Sequence, residues 1–147
     1  MDLSEILDAV ISLVGHSAGP GISFRKSAAR GVPRLPGDEE QLTQVILNLT
    51  LNAAQAMPDG GEVRLTLREE DGGIVILVSD EGAGIPDEHI DRIFDPFFTT
   101  KGTGTGLGLS VVHQIVTQHG GTATVTTNQE KGTTFRLYFP LSQGARA

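Results

Sequence analysis

Two asparagines, one aspartate and a lysine leading a run of glycines are the residues of this sequence best suited to chemistry. Gln44, Asn48 and Asn52 are spaced by four, so on a helix they share one row. Asparagine is a mediocre helix former, and an amide oxygen is a hard ligand of the kind Mg²⁺ accepts beside phosphates. A solvated face is the plainer reading of one such residue. A pair in register, directly before the glycine-rich Pro58-Asp59-Gly60-Gly61, points to a ligand-facing edge. Asp80 follows the apolar run Ile74 to Val78 and precedes Gly82 and Gly84. A carboxylate there can accept a hydrogen bond from a ligand amino group, and the glycines let a flat group approach the backbone. An Asx-type turn is the plainer alternative. Lys101 opens Lys101-Gly-Thr-Gly-Thr-Gly-Leu-Gly-Leu-Ser110, with glycine at 102, 104, 106 and 108. Bare N–H groups at a helix start behind one lysine suit a polyphosphate. A flexible linker is the competing reading, but apolar patterning flanks the run on both sides.

Bulk properties narrow the class. A chain of 147 residues is enough for one domain with a real core. Eleven basic against 18 acidic residues give a net charge of −7, and no basic stripe appears, which argues against nucleic acid as partner. An anionic ligand must then be met locally, by Lys101, backbone N–H groups or a metal. With no cysteine there is no disulfide, thiolate chemistry or cysteine-based zinc site. No apolar run reaches membrane-spanning length and the first residues are wrong for a signal peptide. The expected setting is the cytoplasm, with no direct membrane contact and a monomeric domain.

The positioning elements follow from periodicity. Residues 2–15 read as an amphipathic helix ended by Gly15. Short strands are expected at Ile22 to Lys26 and around Val32 to Leu35, the latter limited by Pro33 and Pro36. A long helix over 38–57 starts at Asp38, where Gln41 three residues on resembles a capping box, and buries Leu42, Val45, Ile46, Leu49, Ala53 and Ala56. Glu70-Asp71-Gly72-Gly73 turns a hairpin, residues 87–93 suggest a short helix, and residues 107–119 a longer one. Thr122 to Thr127 and Thr133 to Pro140 form a closing hairpin. Helices alternating with antiparallel pairs predict an α/β sandwich, one mixed sheet with helices on one face. Neither Gly-x-x-x-x-Gly-Lys-Ser/Thr nor Gly-x-Gly-x-x-Gly after a strand is present, so a nucleotide site here must be of another kind.

The order of the pieces carries a resemblance. Asn48-Leu-Thr-Leu-Asn52-Ala, Asp80-Glu-Gly-Ala-Gly84, Phe94-Asp-Pro-Phe-Phe98 and Gly104-Thr-Gly-Leu-Gly108-Leu resemble the N, first glycine, F and second glycine boxes of bacterial sensor histidine kinases. A single box is weak evidence; these boxes in order are specific. The wording of Asn52 to Met57 and Asp95 to Lys101 is most similar to the nitrogen-regulation type. The resemblance implies the ATP-binding catalytic domain, a two-layer α/β sandwich of the Bergerat fold, with a mixed, mostly antiparallel sheet of about five strands under about three helices. It implies that Asn52 coordinates Mg²⁺ and that Asn48 contacts phosphates or the metal. Asp80 would bind the adenine amino group, with Gly82, Gly84 and Ile85 lining the base pocket. Phe98, Thr99, Thr100, Lys101, Gly104, Thr105, Gly106, Leu107 and Gly108 would form a short lid over the phosphates, hinged near Phe97 and Phe98. The catalytic pair would be Asn48 and Lys101.

Some positions depart from that pattern. Many such kinases carry a lysine and a tyrosine three and four residues after the metal asparagine, where this chain has Gln55 and Ala56. None of His16, His89, His113 and His119 sits in the family's phosphoacceptor context. His119 resembles a helix C-terminal residue. The expectation is one catalytic domain over 1–147, core about 3–140, excised from a longer kinase. Its partners would be a separate dimerisation and histidine-phosphotransfer domain and, indirectly, a response regulator. ATP-hydrolysing relatives place a glutamate where this chain has Asn48, which cannot act as a base; imidazole needs none there. The rival readings are a nucleotide-gated binding module and an anti-sigma-type serine kinase.

Overall fold

The chain closes its strands around Ile74, Ile76 and Val78, which are fully or almost fully buried. The structure is a computed structural model that describes residues 1–17, 21–82, 84, 93–94, 107–128 and 132–141. Its elements are α1 (Leu3–Ser17), β1 (Ile22–Ala28), α2 (Glu39–Gln55), β2 (Gly61–Glu70), β3 (Gly73–Ser79), α3 (Leu107–Gln118), β4 (Thr122–Asn128) and β5 (Gly132–Pro140). The sheet order is β1-β2-β3-β5-β4. β1 and β2 are parallel, joined through α2, and every other pair is antiparallel. This is the expected mixed sandwich. Val63, Leu65 and Leu67 of β2, the three β3 residues above, and Phe135, Leu137 and Phe139 of β5 join one core with Leu3, Leu7, Val10, Leu42, Ile46, Leu49 and Val112 of the helices. Alternate residues of each strand thus face the helices.

Local chemistry explains the boundaries. α1 runs two residues past Gly15, which meets nothing within 4 Å, so glycine there costs propensity without stopping the helix. No strand forms around Val32 to Leu35, contrary to expectation. Pro33 and Pro36 remove ladder donors. Leu35 instead clasps the chain start, its N–H bonded to the Met1 carbonyl at 3.1 Å and its carbonyl to the terminal ammonium at 2.8 Å. The β2–β3 hairpin turns on Asp71 and Gly72 with φ of 52° and 74°, the paired positive values of a two-residue loop.

Asp38 caps α2 by accepting from the Gln41 N–H at 3.2 Å. The Asp38 N–H is taken by a residue distant in sequence: it donates to His119 Nε2 at 3.0 Å, while His119 Nδ1 pairs with the Ile115 carbonyl at 2.8 Å. His119 is therefore more than a helix-end residue. With Nε2 accepting, its proton sits on Nδ1, and the ring joins the end of α3 to the start of α2.

The other face of the sheet carries Arg64, Arg68, Thr66, Leu77, Arg136 and Tyr138. The Tyr138 ring lies over Gly73, where a Cβ would stand 2.6 Å from Cζ, and its hydroxyl donates to the Asp71 carbonyl at 2.7 Å. Val75, in register between Arg68 and Tyr138, is fully buried on this side of the sheet. Glu70 accepts from Arg68 at 3.0 Å and from Arg136 at 3.2 Å. The Arg68 hydrogen bond, more than the field of either arginine, holds the Glu70 carboxyl below its ordinary 4.5. A group with a depressed folded value adds stability above its unfolded value and loses it as pH falls through the folded one. The Glu70 carboxyl resonance is therefore expected to titrate below 4.5, and to return toward 4.5 in the variant Arg68→Met. Carbon-detected NMR titration checks this; an unchanged midpoint in the variant would contradict it.

Candidate nucleotide site

α2 buries Leu42, Val45, Ile46, Leu49 and Ala53 against the sheet and leaves Asn48 and Asn52 half-exposed, one turn apart on a single row. Gln44, the first residue of that row, is exposed. Thr50, between the two asparagines, is buried and returns its hydroxyl to the Ile46 carbonyl at 2.7 Å, which satisfies it without a ligand.

β3 ends at Ser79, and Asp80 continues toward β5 by donating its N–H to the Thr133 carbonyl at 2.9 Å. Asp80 is only 8% exposed. A buried carboxylate is costly unless hydrogen-bonded, and Oδ1 accepts from the Gly82 N–H at 2.8 Å. The Asx turn anticipated as the plainer reading is thus present, and it spends one of the two carboxylate oxygens in fixing the loop.

Glycine is required next. A Cβ on Gly82 would stand 2.5 Å from the Ala56 carbonyl oxygen and 2.9 Å from the Ala56 Cβ. Gly84 holds φ of 82°, which side chains rarely adopt. The loop after β3 therefore lies against the C-terminal end of α2. Ala56 bonds back through its N–H to the Asn52 carbonyl at 3.1 Å. The glycine loop meets the helix one turn beyond the asparagine expected to hold a metal. Ala56, where a tyrosine is common, presents a methyl group to that loop. The donor set suits Mg²⁺ held mainly by phosphate and water, with one amide oxygen from the protein. Among the described residues no group of three His, Cys, Asp or Glu side chains is placed to hold a metal ion.

Gly82, two residues after Asp80, is thus brought against Ala56 at the C-terminal end of α2, the helix that carries Asn52 one turn and Asn48 two turns earlier. Leu107 and Gly108 open α3, as the spacing predicts. Ile85, Phe98, Thr99, Thr100, Lys101, Gly104, Thr105 and Gly106 lie outside the described residues, as do residues 87–92 of the helix expected over 87–93, whose last residue, Ile93, is described and buried in a turn. Phe94 packs as a satellite of the core, its ring 5.6 Å from His113 and edge-on to Phe135 at 6.2 Å. His16 and His113 are exposed, and His89 lies outside the described residues.

Sequence reasoning missed the residues that carry Asp80 from behind. Gly132 has φ of 104°, and a Cβ there would overlap the Asp80 carbonyl oxygen and stand 2.7 Å from its carbon. Thr133, 6% exposed, supplies the carbonyl that receives the Asp80 N–H. The available signal was a glycine at the first residue of a strand, which marks close backbone approach.

Comparison with known proteins agrees with this geometry. Residues 37–143 match the family described as histidine kinase-, DNA gyrase B-, and HSP90-like ATPase. The sensor histidine kinase ZraS of Escherichia coli K12 is 44% identical over 143 residues, covering 97% of this chain; the chain spans 31% of that kinase's length. The mycobacterial sensor histidine kinase MprB superposes with a TM-score of 0.85 at 32% identity, over 95% of each chain. Full-length ShkA in complex with AMPPNP gives 0.86 at 30% identity, over 95% of this chain and 30% of that one. Fold, box order and family match converge: the chain belongs to the histidine kinase-, DNA gyrase B- and HSP90-like ATPase family, and within it to the catalytic domains of sensor histidine kinases.

Proposed function

We propose that this domain binds ATP between α2 and the loop after β3 and delivers its γ-phosphoryl group to a histidine on a separate helical domain. The observation that carries the reading is Asp80. It is buried and tied to β5, and its loop is packed through Gly82 onto the helix that bears Asn48 and Asn52. The Asp80 carboxylate accepts the adenine amino group, Gly82 and Gly84 let the base lie against bare backbone, and Ile85 completes the lining of the base pocket. Asn52 holds Mg²⁺ through its amide oxygen and Asn48 contacts the phosphates. Bound Mg²⁺ supplies positive charge against the phosphate oxygens. Lys101 and the glycines from Gly104 to Gly108 cover the phosphates, with Phe98, Thr99, Thr100, Thr105 and Leu107 completing the lid. Asn48 cannot take a proton from water, so the site favours transfer to a nucleophile that needs no base there. Neutral imidazole is one. Catalysis then rests on positioning and charge stabilisation. A response regulator is the expected downstream acceptor.

Calorimetry with and without Mg²⁺ tests this reading. One ATP is expected to bind per chain, more tightly with Mg²⁺, and Asn52→Ala is expected to remove most of the Mg²⁺ enhancement, about tenfold, while affinity without metal stays unchanged. The chain alone should release phosphate only at background rate. Sustained hydrolysis without an acceptor would replace the transfer reading with an ATPase.

A further inference from the structure

Glu81 lies next to Asp80 and outside the roles set out above. Its carboxylate Oε1 accepts from the Glu62 N–H at 2.8 Å, and its own N–H points to Met57 Sδ at 3.3 Å. The register explains why. The β2–β3 ladder ends with Arg64 opposite Ser79, and two residues further it would set Glu62 opposite Glu81. There the Glu62 N–H would normally receive a backbone carbonyl. Its partner is a side chain instead, and the backbone of Glu81 is released toward α2. Met57, 4% exposed at the end of that helix, takes the released N–H. Gly82 then reaches Ala56.

We propose that Glu81 is a positioning residue for nucleotide binding: its carboxylate caps the end of the β2–β3 ladder and so diverts the chain off the sheet, setting the angle at which Asp80 faces the base. This rests on the adenine reading of Asp80. Asp80 is held by the backbone of β5, and its chain neighbour Glu81 is tied through its side chain to the backbone of β2. Without the cap, residues 80–82 are free to continue pairing with β2, which draws Gly82 away from Ala56 and turns the Asp80 carboxylate. Glutamine keeps an acceptor oxygen at the same reach, whereas aspartate is one methylene short of Glu62.

The test uses the 147-residue chain and reads ATP dissociation constants by calorimetry beside amide exchange by NMR. Glu81→Ala and Glu81→Asp are each expected to weaken ATP about tenfold and to speed exchange of the Glu62 amide, while Glu81→Gln stays within about twofold of the parent in both. Melting temperatures should stay close together, because Glu81 is exposed. Unchanged affinity in Glu81→Ala, in a protein where Asp80→Asn strongly weakens binding, overturns the role of Glu81 alone. Loss of affinity in Glu81→Gln equal to that in Glu81→Ala also overturns it, since charge rather than the acceptor would then matter. Retained affinity in Asp80→Asn removes the adenine reading and this inference together.

Discussion

Asp80→Asn is expected to weaken ATP binding roughly 100-fold while leaving the fold intact. Asparagine keeps an oxygen that can accept from the Gly82 N–H, the 2.8 Å bond that shapes the loop. The other carboxylate oxygen becomes an NH₂ group, a donor facing the donor amino group of adenine. The site then loses a charge-assisted hydrogen bond and gains an opposed pair of donors in a position that is 8% exposed. Inosine nucleotides, which present an oxygen in place of the amino group, should lose less affinity than ATP or even gain. Calorimetry with both nucleotides, beside far-UV circular dichroism, checks this. Equal affinity of the variant and the parent for ATP would remove Asp80 from the base site.

Gly132→Ala is expected to cost about 3 kcal/mol and to lower the melting temperature by about 10 °C. Its φ of 104° is strained for any side chain, and the added Cβ would overlap the Asp80 carbonyl oxygen. The neighbour is backbone, with no rotamer to give way, so either β5 or the start of the nucleotide loop must move. The Asp80 N–H to Thr133 carbonyl bond, 2.9 Å in the parent, lies in the path of that movement. ATP affinity should fall with stability, although Gly132 touches no part of the proposed ligand. Thermal unfolding within a degree or two of the parent would show that the strand start relaxes freely and that Asp80 is not held from behind.

Much of this architecture was legible because periodicity is a local signal. The α2 stripe, the Asp71-Gly72 turn and the start of α3 at Leu107 each depend on residues within a few positions of one another. The pairing of Asn48 with Asn52 was readable for the same reason. Contacts between distant segments were not. Nothing near Asp38 announces that its N–H meets His119, and nothing near Leu35 announces the chain terminus as its partner. Gly132 and Glu81 share this character, since their roles come from strand register and from close approach across the sheet. The segment around Val32 to Leu35 misled through its β-branched and apolar residues, where the two prolines were the stronger signal.

The most direct test mixes the chain with γ-labelled ATP, Mg²⁺ and a dimeric helical domain carrying a phosphoacceptor histidine, beside the same domain with that histidine replaced. The account predicts label on the intact acceptor only, labile in acid and stable in base, with Asp80→Asn abolishing it. No label on histidine domains from the kinases this chain resembles, or label that survives acid, would contradict phosphoryl transfer to histidine.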